Sequence, residues 1–284
     1  MVISIASGKG GTGKTTIAAG LANVIRSCVY IDCDVEEPNG HLLLKPEIKS
    51  IETSYKYVPK IDYELCSFCN KCIDVCEFNA LVNLTNEIYL FEELCKSCGA
   101  CSYFCPCNAI TEIEKEDGII RRGSINNNGL FFDAYLKIGE ASASPLIKKI
   151  RNKYKGKRPV IIDSPPGTSC SMMEAVRDSD FCILVTESTP FGLNDLTLAI
   201  DVLKQIGTPF GIVINKYSEE FRQLEEFINR NNLNLLLKIP FRMDIAESYS
   251  KGELLSGSIK DYEILMSELL TKIKKEVGEV TEYA

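Results

Sequence analysis

The stretch from Gly8 to Thr15 restricts this chain more than any other. It reads Gly8-x4-Gly13-Lys14-Thr15, directly after the apolar run "MVISIAS", and it opens "GKTTIAAGLANVIRS", which has helical periodicity. A glycine-rich loop between a buried strand and a helix N-terminus wraps backbone N–H groups around phosphate. In that arrangement Gly8, Gly10, Gly11, Thr12 and Gly13 form the cradle, Lys14 neutralises the β- and γ-phosphates, and the Thr15 hydroxyl binds Mg²⁺, with Thr16 beside it. Such a loop commits the start of the chain to an α/β architecture. A second lysine, Lys9, has no place in this scheme.

The remainder repeats the theme. "CVYIDCD", "RPVIID", "FCILVTE", "PFGIVIN" and "LNLLLKIP" are apolar runs of the buried-strand type, and "MMEAVRDS", "LNDLTLAIDVLKQI" and "EEFRQLEEFINR" are helical stretches. Strands alternating with helices predict a doubly wound, mostly parallel sheet covered on both faces, the P-loop NTPase class. Two strands end in acids, Asp32 with Asp34 and Asp163. Carboxyl ends of strands line the ligand crevice of such sheets. Asp34 is therefore the candidate to orient or activate water, and Asp32, Asp34 and Asp163 are candidates for the Mg²⁺ shell; a cap or loop acid is the alternative for each alone. The last helical stretch, "KDYEILMSELLTKIKKEV", places Ile264, Leu265, Leu269, Leu270 and Ile273 at helical spacing. It is expected to pack on the core rather than lie on a membrane, since the acidic "GEVTEYA" follows.

The net charge of −7 and the lack of a basic stripe argue against a nucleic-acid partner. No apolar run is long enough to span a bilayer, and the N-terminus lacks the layout of a signal peptide, so a cytoplasmic location is expected. In that setting thirteen cysteines are unusual, and nine of them (Cys66, Cys69, Cys72, Cys76, Cys95, Cys98, Cys101, Cys105 and Cys107) fall between positions 66 and 107. Metal ligation by thiolates is the leading reading over disulfides. A shift of 29 residues superposes Cys66, Cys69, Cys72, Cys76, Asn79 and Ala80 on Cys95, Cys98, Cys101, Cys105, Asn108 and Ala109. Two copies of one C-x2-C-x2-C-x3-C unit predict a small inserted α+β domain, residues 60–118, within an ATPase-type domain formed by residues 1–59 and 119–284. Four-cysteine zinc sites also use C-x2-C pairs and compete with an iron–sulfur reading. Cys107 is the repeat counterpart of Phe78 and reads as a small core filler. Cys28 and Cys182 read as buried apolar residues, Cys33 as a thiol turned away from the site, and the single histidine, His41, receives no role.

"KGGTGKTT", "DCDVEEPN" and "DSPPGTS" resemble the deviant Walker A loop, switch I and switch II of the MinD/Mrp/nitrogenase-iron-protein family of ATPases, over the roughly 225 residues outside the insert. The resemblance implies ATP and Mg²⁺ sandwiched in a homodimer, or in a pair of paralogues, with Lys9 reaching the partner's phosphates. It implies that Asn215 of "VINK" reads adenine and that Pro240 of "IPFR" completes the base pocket. It also implies Cys170, seven residues beyond Asp163, as a candidate ligand of a bridging cluster. The insert resembles a bacterial ferredoxin with two [4Fe–4S] clusters, in which the fourth cysteine of each run serves the other cluster. That resemblance implies Cys66, Cys69, Cys72 and Cys105 around one cluster and Cys95, Cys98, Cys101 and Cys76 around the other. Glu77 stands after Cys76 where the pattern has proline, as Pro106 stands after Cys105. Three functions are consistent with this: ATP-gated electron transfer to a partner protein, a cluster or metallocofactor maturation ATPase of Mrp type, or a MinD-like positioning ATPase with a redox-sensing module.

Overall fold

The computed structural model describes residues 1–25, 27–85, 87–125, 128–255 and 259–281. The chain starts in β1 (Val2–Ala6), passes through the glycine loop into α1 (Lys14–Ile25) and returns in β2 (Val29–Asp32). After α2 (Gly40–Leu44), β3 (Glu47–Ile61) leads to the cysteine segment, which holds α3 (Lys71–Asp74), β4 (Leu81–Asn83), β5 (Ile88–Leu90) and α4 (Ala100–Tyr103). The chain comes back in β6 (Ile110–Ile125) and β7 (Gly129–Leu136). Alternation then resumes with α5 (Ser144–Arg151), β8 (Val160–Asp163), α6 (Cys170–Val176), β9 (Phe181–Glu187), α7 (Pro190–Ile206) and β10 (Phe210–Tyr217). It ends with α8 (Gln223–Arg230), β11 (Leu235–Pro240), α9 (Met243–Ser250) and α10 (Lys260–Thr281).

The large sheet has the order β11-β10-β9-β1-β8-β2-β7-β6-β3. Strands β11 through β7 are parallel, and β6 and β3 join antiparallel at one edge. The α/β class and the mostly parallel sheet agree with the sequence reading, whose six strands and five helices are all present. Strands β1, β2 and β8 are buried along almost their whole length, as expected where helices cover both faces. Against one face, α1 and α10 bury Ile17, Leu21, Met266 and Leu269 on Ile3 and Ile5. Each such side chain contributes about 1.5–3 kcal/mol by leaving water. The two helices come close at Gly20, where a Cβ would stand 3.0 Å from both Met266 and Tyr262. Ile264 departs from the expected apolar face and is exposed. Arg26 and the end of the acidic tail, residues 282–284, lie outside the described residues. Local chemistry sets the limits of α7: the Thr189 hydroxyl accepts from the Gly192 N–H, Pro190 occupies the first turn, and Gly207 closes the helix at φ 72°.

The unforeseen element is the ribbon of β3 and β6, paired from Glu47↔Ser124 out to Ile61↔Ile110. At about 3.3 Å per residue it is roughly 50 Å long. Positions 60 and 118 lie inside these strands, so the cysteine segment joins the body through paired backbone rather than through linkers. Among the described residues no helix is long and apolar enough to cross a membrane.

Candidate nucleotide site and cysteine cavities

Register places the crevice. Ile5 of β1 lies beside Asp163 of β8, and Asp163 lies beside Asp32 of β2, so both acids stand next to the turn that leaves β1. That turn surrounds a cavity of about 390 Å³ whose walls include Gly10, Gly11, Gly13, Lys14, Thr15 and Thr16. Asp34, Asn215 and Pro240 line the same cavity. Gly13 sits at φ 95°, and a Cβ there would stand 2.3 Å from the Asn215 amide nitrogen, so glycine is required on both counts. Gly8 and Thr12 belong to the loop but not to the cavity wall. A Cβ on Gly8 would meet the Asp195 carbonyl oxygen at 2.2 Å, and the buried Thr12 gives its carbonyl to the Asn215 amide at 2.8 Å.

Lys14 is nearly buried; burial lowers its pKa, against the pull of Asp163, Asp34 and Asp32. Burial and the neighbouring Asp163 push Asp32 up. Its carboxylate accepts from three backbone N–H groups, those of Asp34, Asn39 and Gly40, so its oxygens are committed to shaping the turn after β2. Burial also pushes Asp163 up, against Thr15, Lys14 and Tyr30. One of its oxygens accepts from the Tyr30 hydroxyl at 3.0 Å, and the other, Oδ1, is buried with no hydrogen-bond partner. An orphaned buried carboxylate oxygen beside Thr15 suits a hydrated divalent cation. Asp34 is only part-buried; burial and Asp163 push it up to about 6, with Lys14 opposing.

Lys9 lies outside the cavity. Its ammonium pairs with Glu187 at the end of β9, and Lys216 holds the same carboxylate at 3.4 Å while donating to the Gly11 carbonyl at 2.9 Å. Burial works against ionisation of Glu187, but Lys9 and Lys216 outweigh it and hold the carboxyl below its ordinary range. Glu187 and Lys216 escape sequence reasoning, although Lys216 is the neighbour of Asn215 in "VINK". Phe241, Arg242 and Tyr249, which extend the cavity past Pro240, also escape it.

A profile of the CobQ/CobB/MinD/ParA nucleotide binding domain matches residues 3–255. The chain belongs to this nucleotide-binding family. An uncharacterised protein of Methanocaldococcus jannaschii is 34% identical over 286 residues, covering 97% of each chain. Among solved structures, the cell division ATPase MinD of Pyrococcus furiosus superposes with a TM-score of 0.60 at 20% identity, over 96% of this chain and 98% of its own. The septum site-determining protein MinD of Pyrococcus horikoshii, complexed with Mg-ADP, gives 0.59 at 21% identity, over 98% and 97%. These two likenesses are of fold.

The cysteine repeat of this family member is visible in its backbone. Three pairs of residues 29 apart take left-handed conformations: Phe68 and Ser97, Asn70 and Gly99, Asn79 and Asn108. In each copy the fourth cysteine sulfur accepts a backbone N–H, Ala80 to Cys76 at 3.4 Å and Ala109 to Cys105 at 3.3 Å. The sulfurs fall around two cavities. Cys66, Cys69, Cys72 and Cys105 line the one at the tip of the ribbon, together with Ile61 and Ile110. Cys76, Cys95, Cys98 and Cys101 line the other, beside Tyr57 and Glu112 and so nearer the body. These are the distal and proximal cavities below. Among the described residues, no three His, Cys, Asp or Glu side chains converge where a single ion would sit. The sulfurs surround space instead.

A buried ion pair connects the proximal cavity to the body. Lys56 and Glu140 pair with side chains only 1% and 5% exposed, and the Lys56 ammonium also donates to the Glu92 carbonyl at 3.0 Å. That carbonyl accepts the Cys95 N–H at 3.2 Å. Burial pushes the Cys95 thiol up, and the Ser97 backbone and the Lys56 charge pull against it. Glu140 sits in the turn after β7, where Leu136 donates to the Val35 carbonyl, one residue from Asp34, at 2.8 Å. The other cysteines lie apart: Cys28, Cys33 and Cys182 are buried, and Cys170 is exposed at the start of α6. Cys33 is not among the residues that line the nucleotide cavity; it borders a separate cleft with Asp34, Glu37 and Ser169. His41, in α2, has Nδ1 4.0 Å from buried Asp133.

Proposed function

We propose that this protein is an ATPase whose nucleotide cycle gates electron transfer from two [4Fe–4S] clusters to a partner protein. The observation that carries it is a chain of contacts: Leu136 donates to the Val35 carbonyl beside Asp34, the backbone runs on from Leu136 to Glu140, Glu140 pairs with Lys56, and Lys56 donates to the Glu92 carbonyl that also accepts from Cys95. The eight cysteines fit the clusters: they fall into two sets of four around cavities, with N–H groups aimed at two of the sulfurs. Bound there, the clusters would supply one-electron chemistry at low potential. In the nucleotide site the loop amides and Lys14 bind the phosphates, Thr15 and Asp163 hold Mg²⁺, Asp32 fixes the turn that carries Asp34, and Asp34 orients water. Asn215 and Pro240 border the base. Lys9 leaves Glu187 to reach the partner's phosphates in an ATP-sandwiched dimer of two copies, or of paralogues. The reading needs neither nucleic acid nor a membrane, and its expected location is the cytoplasm. A second reading, cluster delivery of Mrp type, draws on the exposure of Cys170 beside the Asp163 loop, where two copies could share a bridging cluster.

Anaerobic EPR potentiometry with iron and sulfide counts, with and without a Mg²⁺–ATP analogue, tests the proposal. About eight irons and a nucleotide-dependent shift in potential are expected. Zinc in place of iron would sink it, and iron without a shift would favour cluster delivery.

Two further results are expected. Asp34 can take a proton from the attacking water, and hold it by a charge-assisted hydrogen bond, only when ionised, and its raised pKa puts the protonated form in reach of mild acid. Hydrolysis should therefore hold above pH about 6 and fall about tenfold per unit below it; a flat rate to pH about 4.5, where most of Asp34 is protonated, would remove Asp34 from that role. Glu187→Gln releases Lys9 from its own chain. Sedimentation should then show the dimer forming at several-fold lower ATP concentration, and an unchanged midpoint would mean that the pair does not restrain Lys9.

A further inference from the structure

The two cavities differ by one thiol. Cys107 lines the distal cavity with Cys66, Cys69, Cys72 and Cys105, while its repeat counterpart, Phe78, lines the proximal cavity and offers no ligating atom. Cys107 is half-buried, and its sulfur lies 3.2 Å from the hydroxyl of Ser67, which stands between Cys66 and Cys69 in sequence. Pro106 holds it two residues from Cys105 with little freedom of its own. A filler would need only volume, and the proximal copy fills that position with a ring. Of the first-run cysteines, Cys72 is buried, Cys66 is half-buried and Cys69 is exposed, so the Cys69 bond to a metal is the one solvent or a docked partner reaches first.

We propose that Cys107 is a reserve ligand of the distal site, able to take the iron that Cys69 releases. This rests on the reading that the cavities hold [4Fe–4S] clusters. In the exchange the Cys107 thiol gives its proton to solvent and its sulfur forms a bond to iron. The bond from iron to the Cys69 sulfur breaks, and the freed Cys69 thiolate takes a proton from solvent. No electron moves. The distal cluster thereby keeps four protein ligands when its exposed one is displaced, whereas the proximal cluster, with Phe78 in the corresponding place, has no substitute for Cys98. The distal site is the one that tolerates disturbance by an acceptor at the tip of the ribbon.

The test compares Cys69→Ala, Cys98→Ala, Cys107→Ala and the double variant Cys69→Ala/Cys107→Ala of the full chain, prepared anaerobically, by iron and sulfide count and by the EPR signal of [3Fe–4S]. The wild type, Cys69→Ala and Cys107→Ala should each hold about eight irons without that signal. Cys98→Ala and the double variant should lose iron and, where a remnant stays, show the signal. Loss in Cys69→Ala equal to that in Cys98→Ala overturns the proposal. A second measurement serves if Cys69→Ala does not fold: iron release to a chelator should be several-fold faster from Cys107→Ala than from wild type, and equal rates overturn the proposal. A wild type without iron fails earlier and differently, since it removes the cluster reading itself.

Discussion

On the proposed cluster reading, Cys76→Ala should cost the protein its proximal cluster, although Cys76 belongs by sequence to the first cysteine run. Its sulfur shares the proximal cavity with Cys95, Cys98 and Cys101 and accepts the Ala80 N–H. Iron should fall from about eight to about four per chain. The decisive comparison is between double variants. Cys76→Ala/Cys95→Ala should lose no more than Cys95→Ala alone, because both remove ligands of one cluster. Cys76→Ala/Cys72→Ala should lose nearly all iron, because Cys72 is buried in the wall of the other cavity. If each run served its own cluster, the two results would be exchanged. No reserve thiol complicates the proximal arm, since Phe78 occupies the place that Cys107 takes at the distal site, and there Cys107 stands in for the exposed Cys69 rather than for the buried Cys72. The reciprocal sharing also has a mechanical consequence. A cluster in either cavity would tie the two copies of the repeat together, so its loss should loosen both.

The parts of the site that are legible in sequence are those specified by neighbours in the chain. The phosphate loop lies within eight residues, and its strand and helix flank it directly. The acids Asp32 and Asp163 announce themselves as the last residues of apolar runs, and register then brings them together. The cysteine repeat is legible because spacing is its whole content. What escapes is what depends on partners far along the chain. Lys9 meets Glu187 across 178 positions, and Lys56 meets Glu140 across 84. Strand β3 escapes for a different reason: most of its side chains are exposed, so the two-residue alternation that marks a half-buried strand is missing over its first seven residues. Only the packed turn after β7 makes Lys56 a buried cation.

Lys56→Met should be strongly destabilising, and the reason separates stability from coupling. The substitution leaves Glu140 as a buried carboxylate without its main partner, a loss of about 3–5 kcal/mol for such pairs. Lys115, 3.4 Å from the same carboxylate, compensates in part and places the expected loss at the low end, about 3 kcal/mol. The double variant Lys56→Met/Glu140→Leu removes both charges and should recover most of the lost stability, since apolar replacements of buried pairs are often neutral. Thermal unfolding of the loaded protein under argon reads that arm. The second arm is potentiometry with and without the ATP analogue. In the double variant the proposed switch at Asp34 and Val35 should still respond to nucleotide, but the turn after β7 no longer holds the Glu92 carbonyl through a lysine. The nucleotide-dependent shift should therefore vanish for the proximal cluster while hydrolysis persists. A stable double variant that keeps the full shift would show that the signal reaches the clusters by another route, through β6 and β7 backbone pairing alone, and the ion pair would then be a packing device only.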